Sequence, residues 1–516
     1  MSDAESPVES ARILQDRLRP VLIRRFGIDP RGLAAFRVAL AVTLLVDLAF
    51  LRIPNLVVFY TDRGVLPRSV LAEHSPLLAE LSLHAVSGNI WFQILLFLVA
   101  AGFALALLVG YRTWLAGVVS LVLLASLNAR NPFVLNGADV LLMVLLFLAL
   151  FLPLGRRWSV DALGSAPADD PDRSSPLVAN AATAALLVQV VAIFATNAVF
   201  KYRSGRWTAG EGALYAFQLD QHTILLGNYL AGYPTLLWVA NWAWFGLLAG
   251  SILLVALTGR ARAVLVGLFL GSFLGMSVSL SVGLFPLVLA VAMIPFLPPL
   301  FWDAVEPRLE RAAQSIGNRL PERVVNRSRP ADGSRSRSAD GSRSRPADGS
   351  RSRPPEVVRQ RVLPVALSLL LVVVLVGNVW ALGYGQPEAT TEVVDAEDHR
   401  WEMFSLEAPG YGWHVVTVEL DDGREVDALG RADVRPPPEH PPDVSQTYPD
   451  VRWRQFMGDL QGNEPILRSF GEYACSRADD RHDASPERVQ VVYVGQPVDL
   501  DEEPEPFEIE LLDEEC

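Results

Sequence analysis

Nine long apolar stretches punctuate the chain, each flanked by polar or turn-forming residues. They cover about 33–51, 90–110, 113–128, 139–154, 177–199, 237–258, 263–281, 283–301 and 363–384. Runs near twenty apolar residues match the thickness of a bilayer's hydrocarbon core, so the pattern predicts nine transmembrane helices. The third is short and the eighth holds Pro286 and Pro295, which predicts re-entrant or kinked segments there. Ahead of the first span, Ile13, Leu14, Leu18, Val21, Leu22 and Ile23 are interleaved with Arg17, Arg19, Arg24 and Arg25. That spacing suits an amphipathic basic helix on the inner membrane surface, and suits an ordinary solvated helix equally well. Beyond the ninth stretch the period changes. His414–Leu420 and Arg424–Leu429 flank Asp421-Asp-Gly423, a hairpin signal. Arg488–Val494 reads as another strand, and 450–461 and 464–477 as helices. The fold class expected is an all-α polytopic membrane bundle with a C-terminal extracytoplasmic α+β domain.

Five regions follow from this reading. Residues 1–32 form the amphipathic amino-terminal region and 33–302 a membrane domain of eight spans. Residues 303–362 are a linker in which RSRPADGS-type units repeat over 327–353; Arg, Ser, Pro and Gly cannot bury a core, so disorder is expected. Residues 363–384 are the ninth span and 385–516 the acidic domain. The polar amino end has no early apolar core, so no cleavable leader is expected.

Charge sets the orientation. With the amino terminus inside, the inner segments carry 26 Arg, whereas the outer loops carry seven basic residues: Arg52, Arg63, Arg68, Arg130, Lys201, Arg203 and Arg206. Basic residues concentrate on the cytoplasmic side, so the amino terminus and the linker are placed inside and 385–516 outside. That last region holds 33 Asp and Glu against 10 Arg, and the whole chain has a net charge of −13. An acidic excess with almost no lysine is a halophile-like composition. Cys475 and Cys516 are the two cysteines; whether they pair is left open, and neither a CxxC nor metal-ligand spacing is present. No nucleic-acid partner is expected, and the bilayer is the partner the pattern implies.

The candidate chemistry centres on Asn197-Ala-Val-Phe-Lys201-Tyr-Arg-Ser-Gly-Arg-Trp207. Lys201 is the single lysine among 44 basic residues. Arg keeps its proton in a protein, whereas a buried Lys can lose it, so a site that needs a neutral amine has to keep Lys. The competing role for Lys201 is a snorkelling interfacial charge. On the same side lies Asn128-Ala-Arg-Asn131-Pro-Phe-Val-Leu-Asn136-Gly-Ala-Asp139, a polar cluster that would orient a polar ring or cap the following span. After Lys201 come Trp207, Tyr215 and His222, the last a candidate general acid or base. Arg37 and Asp47 lie within the first span, where ionisable groups usually clamp helices from the bundle interior.

Together these residues resemble the horizontally transferred transmembrane (HTTM) domain family, related to the membrane domain of vitamin K-dependent γ-carboxylase. The resemblance rests on Gly32-Leu-Ala-Ala-Phe-Arg37, Phe59-Tyr-Thr-Asp-Arg-Gly-Val-Leu-Pro67, Asn131-Pro, Asn136-Gly, Trp158-Ser-Val-Asp161, Lys201 to Trp207, Gly210, Ala213, Tyr215 and Ala216, and covers about residues 26–302. It implies a lipophilic, vitamin K-like quinol as cofactor, with Lys201 as the base toward it. Beside it, the residues themselves offer His222 as a second catalytic candidate and Asn131, Asn136, Asp139, Trp207 and Tyr215 as candidates to bind the substrate. Where the carboxylase carries a histidine, the 136–140 segment here reads Asn-Gly-Ala-Asp-Val. The alternative expectation is a non-catalytic membrane protein that binds or moves a lipid or quinone, or that presents the acidic domain.

The arginine asymmetry makes a direct prediction. In intact cells treated with a reductant, a membrane-impermeant thiol reagent is expected to label Cys475 and Cys516. Labelling that appears only after lysis would reverse the topology.

Overall fold

In the computed structural model, residues 7–163, 177–317, 410–429, 441, 443–502 and 504–516 are described, with scattered helical positions between 365 and 380. The amino-terminal helix α1 (Pro7–Phe26) leads into α2 (Pro30–Val46), whose start is fixed by Asp29 accepting from the Arg31 N–H and by Pro30 at the first turn. α2 runs on through a wide turn, Asp47–Arg52. The bundle continues with α3 (Ile90–Val109), α4 (Thr113–Arg130), α5 (Gly137–Ala149) and α6 (Ala181–Arg203). Short helices α7 (Gly205–Ala209) and α8 (Gly212–Phe217) precede α9 (Pro234–Ala249), α10 (Gly259–Ser279), α11 (Phe285–Met293) and α12 (Pro299–Gly317).

Six helices are long and apolar enough to cross a membrane, or seven if a bent pair counts as one span. The count of nine is therefore not confirmed by the described residues. The stretch at 139–154 folds as α5, which has 13 residues. At 1.5 Å per residue it is about 20 Å long, short of the roughly 30 Å hydrocarbon core. It is instead a buried central helix, with Leu141, Leu142, Leu145 and Leu146 packed in the core. The stretch at 283–301 breaks after Phe296 and turns by 108° into α12, as its prolines suggested. The ninth stretch and the linker fall largely outside the described residues. In α3, α9 and α10 only 22% of the apolar stretch is buried, against 56% in α2, α4 and α6, so the first three suit lipid contact.

The C-terminal region is a four-stranded antiparallel sheet of order β2-β1-β3-β4. Its strands are β1 (Gly410–Leu420), β2 (Glu425–Asp427), β3 (Pro486–Pro497) and β4 (Phe507–Glu515). The hairpin turn places Gly423 at φ 79°, where a side chain would be strained. The helices α13 (Val451–Gly458) and α14 (Glu464–Asp479) fall where the periodicity placed them. β4 was not foreseen: its outward Glu and Asp residues hide the alternation. A disulfide joins Cys475 of α14 to Cys516 after β4.

The sheet and its helices share one hydrophobic core with the end of the bundle that the arginine count places outside. Phe59, Tyr60, Leu66 and Phe133 of the bundle pack with Trp453, Phe456 and Phe470. Phe59 meets Trp453 at 5.2 Å and Phe456 at 5.7 Å between ring centroids. Ser469 Oγ donates to the Val65 carbonyl at 3.1 Å.

Within this junction lies a closed cluster of four charges. Arg52 Nε bonds Asp47 Oδ2 at 2.6 Å and its Nη2 bonds Asp139 Oδ1 at 2.8 Å. Arg452 of α13 bonds Asp47 Oδ1 at 2.8 Å and Asp139 Oδ2 at 2.6 Å. All four residues are at most 3% exposed. Asn128 and Tyr60 add bonds to Arg52 at 2.9 and 3.2 Å. The two intramembrane charges noted in the sequence thus part company. Asp47 joins this cluster, while Arg37 donates to the carbonyls of Leu154, Arg157 and Trp158 at the opposite end of the bundle. Gly110, at φ 68°, leaves room for that Arg37 fork.

Removing one member of a buried pair typically costs about 3–5 kcal/mol, because the partner charge stays buried. Arg452→Met and Asp47→Asn are each expected to lower the melting temperature of the detergent-solubilised protein strongly. The double variant should lose less than the sum, since the remaining charges balance. Additive losses would show that the cluster is not coupled.

Candidate functional site

Lys201 occupies the last turn of α6, and the chain then turns sharply into α7 and α8. Gly210, at φ 91°, makes the turn between those two helices. Trp207 stands at the centre. Its indole rests on Gly212, where any side chain would collide with the ring. Asn241 of α9 fixes the backbone around it, donating to the Trp207 carbonyl at 3.0 Å and accepting from the Ala213 N–H at 3.1 Å. Lys201 Nζ lies 4.0 Å from the Trp207 ring centroid, and Lys201 is 1% exposed. A cation or amine over an indole face is a favourable contact that also fixes the side chain.

Trp207 and Ala216 are common to the walls of two chambers. The first, of about 310 Å³, is apolar and lined by Lys201, Leu237, Trp244, Met276 and Ser279 among others. The second, of about 300 Å³, has the more polar lining of the two and lies where the bundle meets the C-terminal domain. Asn136, Arg206, Tyr215 and His222 of the bundle line it with Arg454 and Gln455 of α13. The Arg206 guanidinium lies over the Tyr215 ring at 4.3 Å.

Of the residues singled out in the sequence, Lys201, Trp207, Tyr215, Asn136 and His222 therefore gather around one partition. Asn131 and Asp139 do not line either chamber. Asn131 is buried, donates to the Phe59 carbonyl at 3.2 Å and accepts from the Phe133 N–H at 3.2 Å. Asp139 closes a capping box with Asn136 and ties Arg52 and Arg452. The cap alternative raised for this pair is the arrangement present. His222 differs from the neutral-range titrating group anticipated. Burial, then the charge of Arg454, pulls its pKa from 6.5 to about 3, so it is a neutral hydrogen-bonding group at physiological pH.

Three participants were missed. Asn241 had a signal, being a lone amide inside an apolar span. Arg454 and Gln455 had none, since a solvated helix and a docked one show the same apolar period.

Comparison of the chain with family models, with curated proteins and with solved structures gave no match.

A second buried histidine shares the behaviour of His222. His84 bonds Ser126 Oγ at 2.8 Å, and burial, then Arg52 and Arg130, pull its pKa to about 3. Both folded values lie below 6.5, so the unfolded chain takes up these protons first. Their contribution is complete above pH 6.5 and is lost as pH falls toward 3, by up to about 1.4 kcal/mol per pH unit for each histidine. Melting curves between neutral pH and about pH 4.5 should fall less steeply for His84→Gln and His222→Gln than for the wild type. Parallel curves would refute this.

Proposed function

We propose that the protein is a multi-pass membrane protein of the HTTM type that holds a lipophilic ring ligand beside Lys201, with its amino terminus inside and its C-terminal domain outside. The observation that carries this reading is the single lysine, buried against an indole in the wall of an apolar chamber. A site meant only to hold positive charge would be served by arginine, as elsewhere in the chain. Lys alone can act as a base or accept a hydrogen bond after losing its proton.

The walls suit the expected cofactor class. Leu237, Trp244 and Met276 offer apolar and aromatic surface, and Ser279 and Lys201 supply polar atoms. A volume of about 310 Å³ is at the small end of ordinary ligand sites. A reduced quinone would bring an ionisable ring hydroxyl to such a chamber. Lys201 then takes the proton, Trp207 holds the amine in place, and Asn241 holds Trp207.

A second reading, binding or moving a lipid or quinone without chemistry, is favoured by His222. Held neutral, it provides no titrating proton relay in the neighbouring chamber.

Lys201→Arg keeps charge and much of the size but cannot become neutral, while Lys201→Met keeps the length and removes the amine. The readout is ligand retained by the purified protein, measured by mass spectrometry, alongside the phenotype of a deletion strain complemented with each variant. Both variants are expected to lose function while folding and inserting. Full rescue by Arg would assign Lys201 a purely cationic role, and retained ligand with lost phenotype would separate chemistry from binding.

A further inference from the structure

A third cavity, of about 220 Å³, opens at the end of the bundle away from the C-terminal domain. Arg24 and Gly27 line it at the end of α1, and Thr258, Gly259 and Arg262 at the start of α10. The Lys201 chamber lies toward the other end of α10, against Ser272 to Leu280.

The start of α10 is bare. Thr258 holds the cap position, yet its side chain makes no bond to the first turn. The N–H groups of Gly259, Arg260 and Ala261 have no acceptor among the described residues. A helix of 21 residues thus turns open donors and the positive end of its dipole toward the cavity. Gly259, at φ 59°, has only Leu300 within reach of where a side chain would be, at 3.9 Å, which leaves the backbone open to an incoming anion.

The same turn brings in a buried charge. Arg262 is 4% exposed. Its Nε donates to the Leu257 carbonyl at 2.8 Å, and its Nη2 to those of Arg25 and Val255 at 2.9 and 3.3 Å. Nη1 has no bond among the described residues, and the guanidinium meets no carboxylate there. Arg24, Arg25 and Arg260 are exposed and likewise form no ion pair among the described residues. The nearby carboxylates are taken. Asp29 lines the cavity but accepts Arg31 at both oxygens, at 3.0 and 2.8 Å, and Asp303 and Glu306 bind Arg31 as well. A buried cation held by carbonyls alone lacks its counter-ion.

The surroundings say what kind of anion fits. Leu18, Val21 and Leu22 share one face of α1 and are 45–50% exposed, with Arg17, Arg24 and Arg25 around them. An apolar face edged with arginine suits the boundary between the headgroups and acyl chains of an anionic leaflet. Both α2 and α10 begin at this cavity, and both are long and apolar enough to cross a membrane, so it falls at headgroup depth. We propose that the cavity holds the phosphate of an anionic lipid, bound by the uncapped start of α10, by Arg262 and by Arg24, with α1 lying along the same leaflet. A phosphate has oxygens for both the amides and the guanidinium forks. The site is independent of Lys201, and either reading can fail without the other.

The test uses the full-length protein in a non-ionic detergent. Titration calorimetry measures binding of short-chain phosphatidylglycerol, short-chain phosphatidylcholine and inorganic phosphate. Phosphatidylglycerol is expected to bind on the order of tenfold or more tighter than either of the others. The variants are Arg24→Gln, Arg262→Gln and, as a control for diffuse charge at the same end, the exposed Arg112→Gln. The first two should each weaken phosphatidylglycerol binding on the order of tenfold, and Arg112→Gln should leave it unchanged. Arg262→Gln also removes bonds that fasten α1, so Arg24→Gln, which breaks no bond of the described fold, is the decisive variant. Its melting temperature without lipid should match the wild type, and a lower one would make Arg24 a structural residue and overturn its assignment. The proposal is also overturned if phosphatidylglycerol does not bind, if phosphatidylcholine or inorganic phosphate binds as tightly, if Arg24→Gln keeps wild-type affinity, or if Arg112→Gln loses as much.

Discussion

Everything at the end of the bundle that meets the C-terminal domain depends on where Arg452 goes. Asp47 and Asp139 come from different helices and are buried together with one cation, Arg52, between them. Three charges of that kind cannot stay buried without a fourth. Arg452 supplies it from more than three hundred residues further along the chain. The membrane domain by itself is therefore electrostatically incomplete, and the C-terminal domain acts as its counter-ion. Such a cluster is a poor source of net stability; here it marks where the two parts of the chain meet, with Arg452 bonded to both Asp47 and Asp139.

That geometry has a consequence two residues away. Once Arg452 is seated, α13 has a fixed position and Arg454 and Gln455 are committed to the wall of the polar chamber. The aromatic packing of Phe59 against Trp453 and Phe456 fixes the helix from its other side. The ion cluster touches neither chamber through Lys201, yet it decides whether the polar one exists. Asn136 ties the two systems together. It caps α5, shares the capping box with Asp139 and lines the chamber.

How legible this was in the sequence depended on the range of the interaction. Long apolar periods placed six apolar helices within a few residues, because burial against lipid or neighbours needs only composition and length. At 139–154 the same signal marked an apolar helix without fixing its length, and a buried core helix and a spanning helix share a composition and differ in length. The hairpin, the two tail helices and the capping box were readable because each is local. Lys201, Trp207, Tyr215 and His222 fell in one short stretch and were found together. Arg452 and Arg454 were not, since nothing near them in sequence distinguishes a solvated arginine from one paired with Asp47 and Asp139. The protonation of His222 was likewise invisible, being set by Arg454 and by burial.

The buried cations finally divide by chemistry. Arg37, Arg52, Arg130, Arg262 and Arg452 all present their forks to carboxylates or to backbone carbonyls. Each bridges segments distant in sequence or closes a helix end, work that needs several donors in a fixed plane and a charge that never leaves. Lys201 is placed differently. Its amine lies over the Trp207 ring, in the wall of an apolar chamber. A guanidinium there would bring five donors and a permanent charge, and an amine brings three donors that fall to two on loss of a proton. On the proposed reading, in a chain that otherwise uses arginine throughout, lysine stands in the wall of an apolar cavity because arginine's permanent charge would be a liability there.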